Sequence, residues 1–472
     1  DGIYIADVTV PDHSTFDPGQ PFDKTWRVQN TGTCDWTEEY KLVFKSGSRM
    51  GGSDAVTLAD TPAGQNSNIT VPLVAPETPG EHTGVWQMLN QAGQSFGQVL
   101  TVVIQVPGSD NNPGHTALAA IGGPVPTAER PGVHFGYGIQ AHMWDNDLEP
   151  IVAATHGLGF NWLKQQIEWK VMEPEKGRYQ WGETDRIVNA LFANGIRPMF
   201  SVVKAPDWSR PADTDLAVEG PPADPQDYAD FVGAMAARYK GRVRAYEIWN
   251  EQNLHYEWGN EPLDPARYVT LLSTAYAAIK SADPDAIVIS GALTPTGAPQ
   301  PWAIDDYVYL DAMYQNGLKN VCDAIGAHPS GYNVPPDADW QTWHRPGLLF
   351  QGPVDNRHHS WSFKATMEGY RTIAVHYGDV DKTIWPTEFG WASSSSPVAN
   401  YEYAADNTLE QQAMYTVKAY QMGKAWGWVG VMFLWNLNFK VVAPGSEMAQ
   451  WGIVNSQWGP LPVYEALAAL PK

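Results

Sequence analysis

The sequence lacks the features that mark several common classes of protein. Its two cysteines cannot build a disulfide-dense scaffold, and no CxxC pair or His/Cys spacing indicates a zinc site. No uncharged apolar run reaches the roughly 18 residues of a membrane-spanning helix. The formal net charge of −22 disfavours binding to nucleic acid or to an anionic membrane surface. We therefore expect no metal, no cofactor, no nucleic-acid partner and no membrane insertion.

Tryptophan, by contrast, is abundant. The chain has 21 Trp in 472 residues, as many as Tyr, within an otherwise ordinary composition of 43% hydrophobic and 17% charged residues. Large aromatic side chains either fill cores or form flat surfaces on which sugar rings stack. Both explanations remain open at this point.

The first residues of the sequence do not have the pattern of a signal peptide. The sequence begins at Asp1 without Met, and no basic segment followed by an apolar stretch is present. We expect that a signal peptide either has been removed or was never carried, and that the protein is secreted or attached to the cell surface.

Residues 1–106 are predicted to form an all-β domain. Short alternating or apolar runs are separated by turn sequences such as Asp-Pro-Gly and Asn-Thr-Gly. Six or seven short strands in about a hundred residues are typical of an immunoglobulin-like sandwich. Residues 107–132, rich in Pro, Gly, Ser and Asn, are predicted to be a linker.

The order of landmarks in this domain is more specific than the strand count. The segment Phe22–Trp36 is followed by Pro72–Pro76, Gly84–Trp86 and Phe96–Gly97. This pattern resembles the immunoglobulin-like four-tryptophan domain of autophagy cargo receptors and various bacterial enzymes. The positions of three tryptophans match, and Thr101 stands where the fourth is expected; the matching residues, predicted to be sandwich core, are Trp26, Trp36 and Trp86. The resemblance leaves three roles open for the domain, namely spacer, attachment to a surface or protein partner, and carbohydrate binding.

Residues 133–472 are predicted to form a (β/α)8 TIM barrel. Eight strand-like runs recur about every 42 residues and alternate with helical stretches, which is the repeat that such a barrel requires. The helices predicted at Asp224–Lys240 and Asp264–Ser281 each open with an Asp-Pro pair, a typical N-cap and first helical position. The predicted strands are His134–Gln140, Trp162–Trp169, Arg197–Val203, Ala245–Trp249, Ile287–Gly291, Ala324–His328, Thr383–Glu388 and Val429–Trp435.

Two glutamates lie where an apolar strand of this barrel meets its loop. Glu251 follows the fourth strand and Glu388 ends the seventh. The carboxyl ends of all barrel strands meet at one face, where catalytic residues of such barrels lie. A protonated carboxyl and an ionised carboxylate facing each other suit glycoside cleavage, in which one donates a proton and the other attacks the anomeric carbon.

The sequences around both glutamates resemble the catalytic motifs of clan A glycoside hydrolases. Trp249–Asn253 (WNEQN) is similar to the acid/base motif, and Pro386–Trp391 (PTEFGW) is similar to the nucleophile motif. Within the clan, the chain is most similar to glycoside hydrolase family 39 and related bacterial exopolysaccharide hydrolases. The resemblance implies that Glu251 is the general acid/base and that Glu388 is the nucleophile.

The same resemblance implies roles for residues around the two glutamates. Asn250 would bind the sugar 2-hydroxyl, and Trp435 would stack on a sugar ring. His328 and Tyr332 follow strand six, where the clan often has a His and a Tyr that orients the nucleophile. Lys164 is the expected basic residue near the nucleophile, with Gln166 as the alternative.

Other residues at strand ends complete the set of candidates. Trp144, Trp258 and Trp391 are candidate sugar subsites. Glu257 is interpreted as surface charge. The pair His358–His359 is not interpreted as a metal site, because adjacent side chains point apart and the sequence offers no third ligand.

These observations favour a retaining glycosidase acting on a β-linked oligo- or polysaccharide. A transglycosylase or glycosyltransferase using the same two glutamates is an alternative, as is an inactive carbohydrate-binding surface protein. Both predicted domains are acidic, which favours a neutral glycan over a polyanionic one. The identity of the sugar remains open, as does the choice between exo and endo action.

Overall fold

The computed structural model describes residues 1–10, 14–106, 135–343, 345–348 and 358–472. The chain divides into two units, Asp1–Pro124 and Val125–Lys472. The linker predicted at 107–132, the domain start at 133 and the start of the first barrel strand at His134 lie outside the described residues.

The first unit is the predicted β-sandwich. One sheet has the order β1-β3-β6 and the other β2-β8-β7-β4-β5. Sequence analysis missed two short strands, β2 and β5, because two or three residues are too few to show an alternating pattern. The strands are β1 (Gly2–Asp7), β2 (Ser14–Thr15), β3 (Pro21–Asn30), β4 (Lys41–Gly47), β5 (Ala55–Thr57), β6 (Asn66–Val74), β7 (Gly80–Leu89) and β8 (Ser95–Val106).

Three tryptophans fill the core of the sandwich, as predicted. Trp26, Trp36 and Trp86 are all at most 2% exposed. The Trp26 indole N–H donates to the carbonyl of Thr101 at 2.7 Å, which ties β3 to β8 across the two sheets. The position of the missing fourth tryptophan thus supplies a backbone acceptor for the first.

The second unit is a (β/α)8 barrel, which confirms the predicted fold class. Its eight parallel strands run in the order β15-β14-β13-β12-β11-β10-β9-β16, and a bridge between Ile384 and Val429 closes the ring. The strands are β9 (Gly136–Gln140), β10 (Trp162–Glu168), β11 (Arg197–Val203), β12 (Ala245–Ile248), β13 (Ile287–Ser290), β14 (Ala324–Ala327), β15 (Thr383–Pro386) and β16 (Val431–Leu434).

Helices follow the strands and cover the outside of the barrel. They are α1 (Leu148–Gly157), α2 (Trp169–Met172), α3 (Gly182–Ala193), α4 (Pro225–Arg238), α5 (Pro265–Ala282), α6 (Asp306–Gln315), α7 (Phe363–His376), α8 (Leu409–Trp426), α9 (Phe439–Val442) and α10 (Pro462–Ala469). The predicted Asp-Pro starts are confirmed, because the Asp224 and Asp264 side chains each accept a backbone N–H in the first turn. Among the described residues, none of the helices combines the length and apolarity needed to cross a membrane.

The inside of the barrel changes character along the strands. Near the strand starts it is filled by an apolar cluster that includes Trp162, Trp385 and Phe433. Towards the strand ends the interior is polar, with Lys164 and Glu247 both fully buried. Burying charges is costly unless they are paired, so this layer indicates a functional site.

Candidate active site

Glu251 is held in a strained turn directly after β12. Trp249 and Glu251 both adopt a left-handed backbone conformation, with φ of 71° and 47°. Such a conformation costs a non-glycine residue about 1–3 kcal/mol and persists only where neighbours enforce it. Here the Glu251 backbone N–H donates to the Ala292 carbonyl at 2.8 Å, and the Gln252 side chain donates to the Gly291 carbonyl at 2.8 Å. Both bonds fix the turn to the loop that follows β13.

Glu388, just beyond β15, pairs with a fully buried lysine. Lys164 Nζ lies 3.0 Å from Glu388 Oε1 and 3.1 Å from Glu247 Oε2. Burial lowers the pKa of Lys164, but the charges of Glu247 and Glu388 outweigh it, so its pKa is raised. An opposite charge at this distance stabilises an ionised carboxylate. The structure thus places Lys164, and not Gln166, beside the candidate nucleophile.

Glu247 is a residue that sequence analysis missed. It lies inside β12, fully buried, and accepts a hydrogen bond from Thr387 Oγ1 at 2.5 Å. It therefore anchors both Lys164 and the residue that precedes Glu388. A glutamate within the apolar run AYEIW was the signal available in the sequence.

His328, beyond the end of β14, interacts with both candidate catalytic glutamates. Its Nδ1 lies 2.8 Å from Glu251 Oε1. Burial lowers the pKa of His328, but the charge of Glu388 and the contact with Glu251 raise it above its usual value. Burial likewise opposes the ionisation of Glu251, yet the hydrogen bond and charge of His328 hold the Glu251 pKa below its usual value. In the unliganded protein, the proton shared by this pair therefore resides mainly on His328.

Asn250 has an unused hydrogen-bonding group. The side chain is 6% exposed, and its Oδ1 has no partner among the described residues. A buried amide oxygen without a donor costs about 1–3 kcal/mol. A sugar hydroxyl would supply that donor, as the resemblance implies.

Tyr332 lies in an aromatic cluster near Glu251. Its ring centroid is 4.4 Å from that of Trp361 and 5.1 Å from that of Tyr403. Burial, followed by the charge of Glu251, raises the pKa of the Tyr332 hydroxyl. No hydrogen bond joins Tyr332 to Glu388 in the described part of the chain, so the implied role of orienting the nucleophile has no contact here.

Trp144, Trp435 and Gln166 line one cavity at the carboxyl ends of the strands. The cavity has a volume of about 300 Å³ and is also lined by His142 and Glu168. Trp435 packs on Phe439 with ring centroids 5.0 Å apart and keeps part of its ring exposed. This mixture of aromatic faces and amide or carboxylate groups suits a sugar ring.

Trp258 and Trp391 are core residues, so their prediction as sugar subsites is wrong. Trp258 is 0% exposed and packs against Trp249 and Tyr268. Trp391 is 1% exposed and donates its indole N–H to the Val334 carbonyl at 2.8 Å. Their loops fold back over the barrel wall. The sequence alone does not reveal this direction.

The two kinds of tryptophan should respond differently to truncation. Trp391→Ala is expected to lower the free energy of unfolding by about 3–5 kcal/mol, because it empties a buried site. Trp144→Ala is expected to raise KM by up to about tenfold with a much smaller loss of stability, because its ring lines the cavity. Urea denaturation and steady-state kinetics on both variants check this. Equal destabilisation by the two substitutions would contradict the assignment.

Glu257 is not the surface charge that sequence analysis indicated. It follows Tyr256 in a short 3-10 turn, and its carbonyl accepts the Trp249 indole N–H at 3.0 Å, which draws it into the site. Burial, followed by the negative charge of Glu251, raises the pKa of Glu257 to about 8. A loop position six residues after the WNE sequence gave no sign of this burial.

Glu257 should make the stability of the protein depend on pH. Its pKa is about 8 when folded and near the ordinary 4.5 when unfolded. Folding therefore takes up a proton between these values, and the free energy of unfolding falls as pH rises, by at most about 1.4 kcal/mol per pH unit. Glu257→Gln lacks this loss, so its stability relative to the wild type should rise from pH 5 to pH 8 and level off above.

Denaturation at several pH values tests this expectation. The exposed Glu149→Gln is the matched control and should show a difference from the wild type that is small and independent of pH. A constant difference between Glu257→Gln and the wild type across pH 5–8 would contradict the raised pKa.

Glu447 is a second acidic group that sequence analysis missed. It accepts the Trp451 indole N–H at 2.6 Å and the Tyr403 hydroxyl at 3.5 Å. Burial raises the pKa of Glu447, and the charges of Glu388 and Glu251 add to the effect. Glu447 and Glu257 thus add acidic character around the two candidate catalytic glutamates.

Both grounds for dismissing His358–His359 are wrong. The two rings lie close, with centroids 4.1 Å apart. Asp305 is a third potential ligand, and one ligand atom from each of the three residues lies within 4.8 Å of the others. The histidines already have partners in this arrangement, since each Nε2 pairs with an aspartate, His358 with Asp305 at 3.0 Å and His359 with Asp306 at 2.7 Å.

Comparison with known proteins supports the fold of the first unit. Residues 9–106 match the family model of the Ig-like domain from next to BRCA1 gene. Protein ILRUN of Danio rerio is 32% identical over 103 residues, which are 22% of this chain and 36% of that protein. Protein JOKA2 of Solanum tuberosum is 36% identical over 110 residues, which are 22% of this chain and 13% of that protein. The chain therefore spans about a third or less of these relatives.

The whole chain has structural neighbours among glycoside hydrolases. A family 39 glycoside hydrolase from Bacteroides cellulosilyticus WH2 superposes with a TM-score of 0.54 and 20% identity, covering 98% of this chain and 81% of that one. A glucosidase from Croceicoccus marinus gives a TM-score of 0.50 and 14% identity over 72% of this chain and 68% of that one. These likenesses establish the class of fold, a TIM barrel preceded by an Ig-like domain.

Proposed function

We propose that the protein is a retaining glycosidase that cleaves a β-linked, neutral oligo- or polysaccharide. The observation that carries this proposal is the unequal surroundings of two glutamates at one face of the barrel. Glu388 has a buried lysine as its counter-charge, whereas Glu251 shares a proton with a histidine. Pairs of carboxyls whose environments differ in this way divide into nucleophile and acid/base.

The first step would use the ionised Glu388 as nucleophile. Its carboxylate attacks the anomeric carbon while the glycosidic oxygen receives a proton from Glu251. Asn250, with its unpaired amide oxygen, would bind a neighbouring hydroxyl of the sugar. The product is a covalent glycosyl ester of Glu388 and a free leaving group.

The charge on Glu388 couples the attack to the proton transfer. In the unliganded protein that charge is the strongest influence that raises the pKa of His328. Ester formation consumes the charge, so His328 releases its proton more readily to Glu251, 2.8 Å away. The second step reverses this movement, since Glu251 takes a proton from the attacking water and the carboxylate of Glu388 is restored.

The acidic surroundings favour a neutral glycan. The charges of Glu251 and Glu388 disfavour the ionised forms of Glu257 and Glu447, and the same repulsion disfavours a uronate or sulfate ring at this position. The test is a panel of aryl β-gluco-, galacto-, manno- and xylosides, assayed together with neutral and anionic polysaccharides. We expect hydrolysis of at least one neutral aryl β-glycoside. Turnover of aryl β-glucuronides or anionic polysaccharides only would contradict this substrate class.

A further inference from the structure

A second cavity lies at the other end of the barrel from the candidate active site. It has a volume of about 660 Å³, and we call it the basal cavity. Its lining includes Gly136, Arg197 and Val431, the first residues of β9, β11 and β16. Because the strands are parallel, their starts and their ends lie at opposite faces. The basal cavity is therefore separate from Glu251 and Glu388.

The charge of the basal cavity is opposite to that of the protein as a whole. Arg197, Arg244, Lys424 and Lys472 line it, and none of its described lining residues has an acidic side chain. Within the described part of the chain, none of these four cations has a carboxylate within ion-pairing distance, although the chain carries 52 acidic and 30 basic residues. Lys472 Nζ donates to the backbone carbonyls of Leu467 and Leu470, at 2.6 and 2.8 Å, but these acceptors carry no net charge. A concentration of positive charge without carboxylate partners in an acidic protein favours an anionic ligand.

The two lysines of the basal cavity lie close enough to repel each other. Lys424 Nζ is 5.8 Å and Lys472 Nζ is 5.1 Å from the centroid of the same ring, that of Tyr137. Burial and then the charge of Lys424 lower the pKa of Lys472. A bound anion would relieve this repulsion.

The wall of the basal cavity also offers an unused donor. Trp162 is 6% exposed, and its indole N–H has no acceptor among the described residues. The Arg197 guanidinium lies over the same ring, 5.7 Å from its centroid, and Trp385 packs edge-on against it at 5.6 Å. An indole N–H can only donate, so a ligand that satisfies it must supply an acceptor oxygen.

We propose that the basal cavity binds a small multivalent oxyanion bearing phosphate or carboxylate groups. The two guanidinium groups offer paired N–H donors that match the oxygens of either group, and the two ammonium groups add charge. The indole N–H of Trp162 completes the donor set. This binding site is distinct from the catalytic one and does not depend on glycosidase activity.

Calorimetric titration of the full chain with inorganic pyrophosphate and, separately, with citrate tests the proposal. We expect one site per chain with a Kd below about 1 mM for at least one of the two anions at low ionic strength. Tighter binding of pyrophosphate would assign the site to phosphates, and tighter binding of citrate would assign it to carboxylates. Absence of binding by both anions would overturn the proposal.

Variants separate a built site from diffuse electrostatic attraction. Arg197→Gln/Arg244→Gln is expected to weaken binding at least about tenfold. Lys424→Gln, at an exposed position of α8, should also weaken binding, and it serves if the double variant does not fold. Arg178→Gln removes an exposed cation elsewhere on the barrel and should leave the affinity unchanged. Wild-type affinity in the first two variants, or an equal loss in Arg178→Gln, would overturn the proposal.

Discussion

Glu388→Gln is expected to abolish glycoside hydrolysis, with kcat falling by at least about 10⁴-fold. The amide of glutamine cannot form the covalent ester with the sugar, so the main reaction path is lost. We therefore expect a loss at least as large as the upper end of the roughly 10²–10⁴-fold that general acid–base catalysis contributes. The variant should still fold, because Lys164 keeps its second partner Glu247 at 3.1 Å. Initial rates on an aryl β-glycoside, with thermal unfolding measured in parallel, check the prediction.

Two further measurements make the result specific to Glu388. The exposed Glu149→Gln should retain wild-type kcat, which excludes a general effect of losing one negative charge. Azide added to Glu388→Ala should replace the missing nucleophile and give an α-glycosyl azide. Residual hydrolysis within tenfold of the wild type, in a correctly folded Glu388→Gln, would contradict the assignment of Glu388 as nucleophile.

Glu251→Ala is expected to show the complementary behaviour. On glycosides with poor leaving groups, its kcat should fall by about 10²–10⁴-fold, because the proton donor is lost. An activated aryl glycoside needs no proton to depart, so the covalent intermediate should form and then accumulate. Azide should attack that intermediate and give a β-glycosyl azide, which NMR identifies. The steady-state rate of aryl release by the variant should be higher with azide than without it.

The stereochemistry of the azide product decides between the two glutamates. A β-glycosyl azide from Glu251→Ala means that Glu388 still forms the intermediate. An α-glycosyl azide from this variant would assign the nucleophile to Glu251. Absence of any azide product would remove the acid/base role.

The sequence was sufficient to predict the site residues that lie at the carboxyl ends of the barrel strands. The eight barrel strands carry apolar runs, and parallel strands must present their carboxyl ends at one face, so the placement of Glu251 and Glu388 follows from order along the chain. Lys164 was identifiable from the same strand pattern, because it is the only basic residue within the predicted strand Trp162–Trp169. Trp26 and Trp86 were predictable as core, since inward-facing residues alternate along the strands of a small sandwich. Trp36 lies between two strands, in an isolated bridge to Thr61, so its prediction as core depended on the family resemblance.

The residues that were misjudged lie in loops that fold back over the barrel. Trp258 and Trp391 follow strand ends closely, yet their rings turn into the wall, because the loops pack apolar surface away from water. Glu257 is drawn inward by the hydrogen bond that its own carbonyl accepts. Asp305 lies more than fifty residues before His358 in sequence, so its approach to the histidine required the three-dimensional fold. Sequence periodicity contains none of these distances.

The anomeric configuration of the first-formed sugar tests the central proposal most directly. ¹H NMR during the first minutes of hydrolysis, on whichever neutral β-glycoside the panel identifies, distinguishes the two anomers before mutarotation mixes them. Double displacement through Glu388 predicts that the β-anomer appears first. Initial appearance of the α-anomer would contradict the covalent mechanism and the roles assigned to both glutamates.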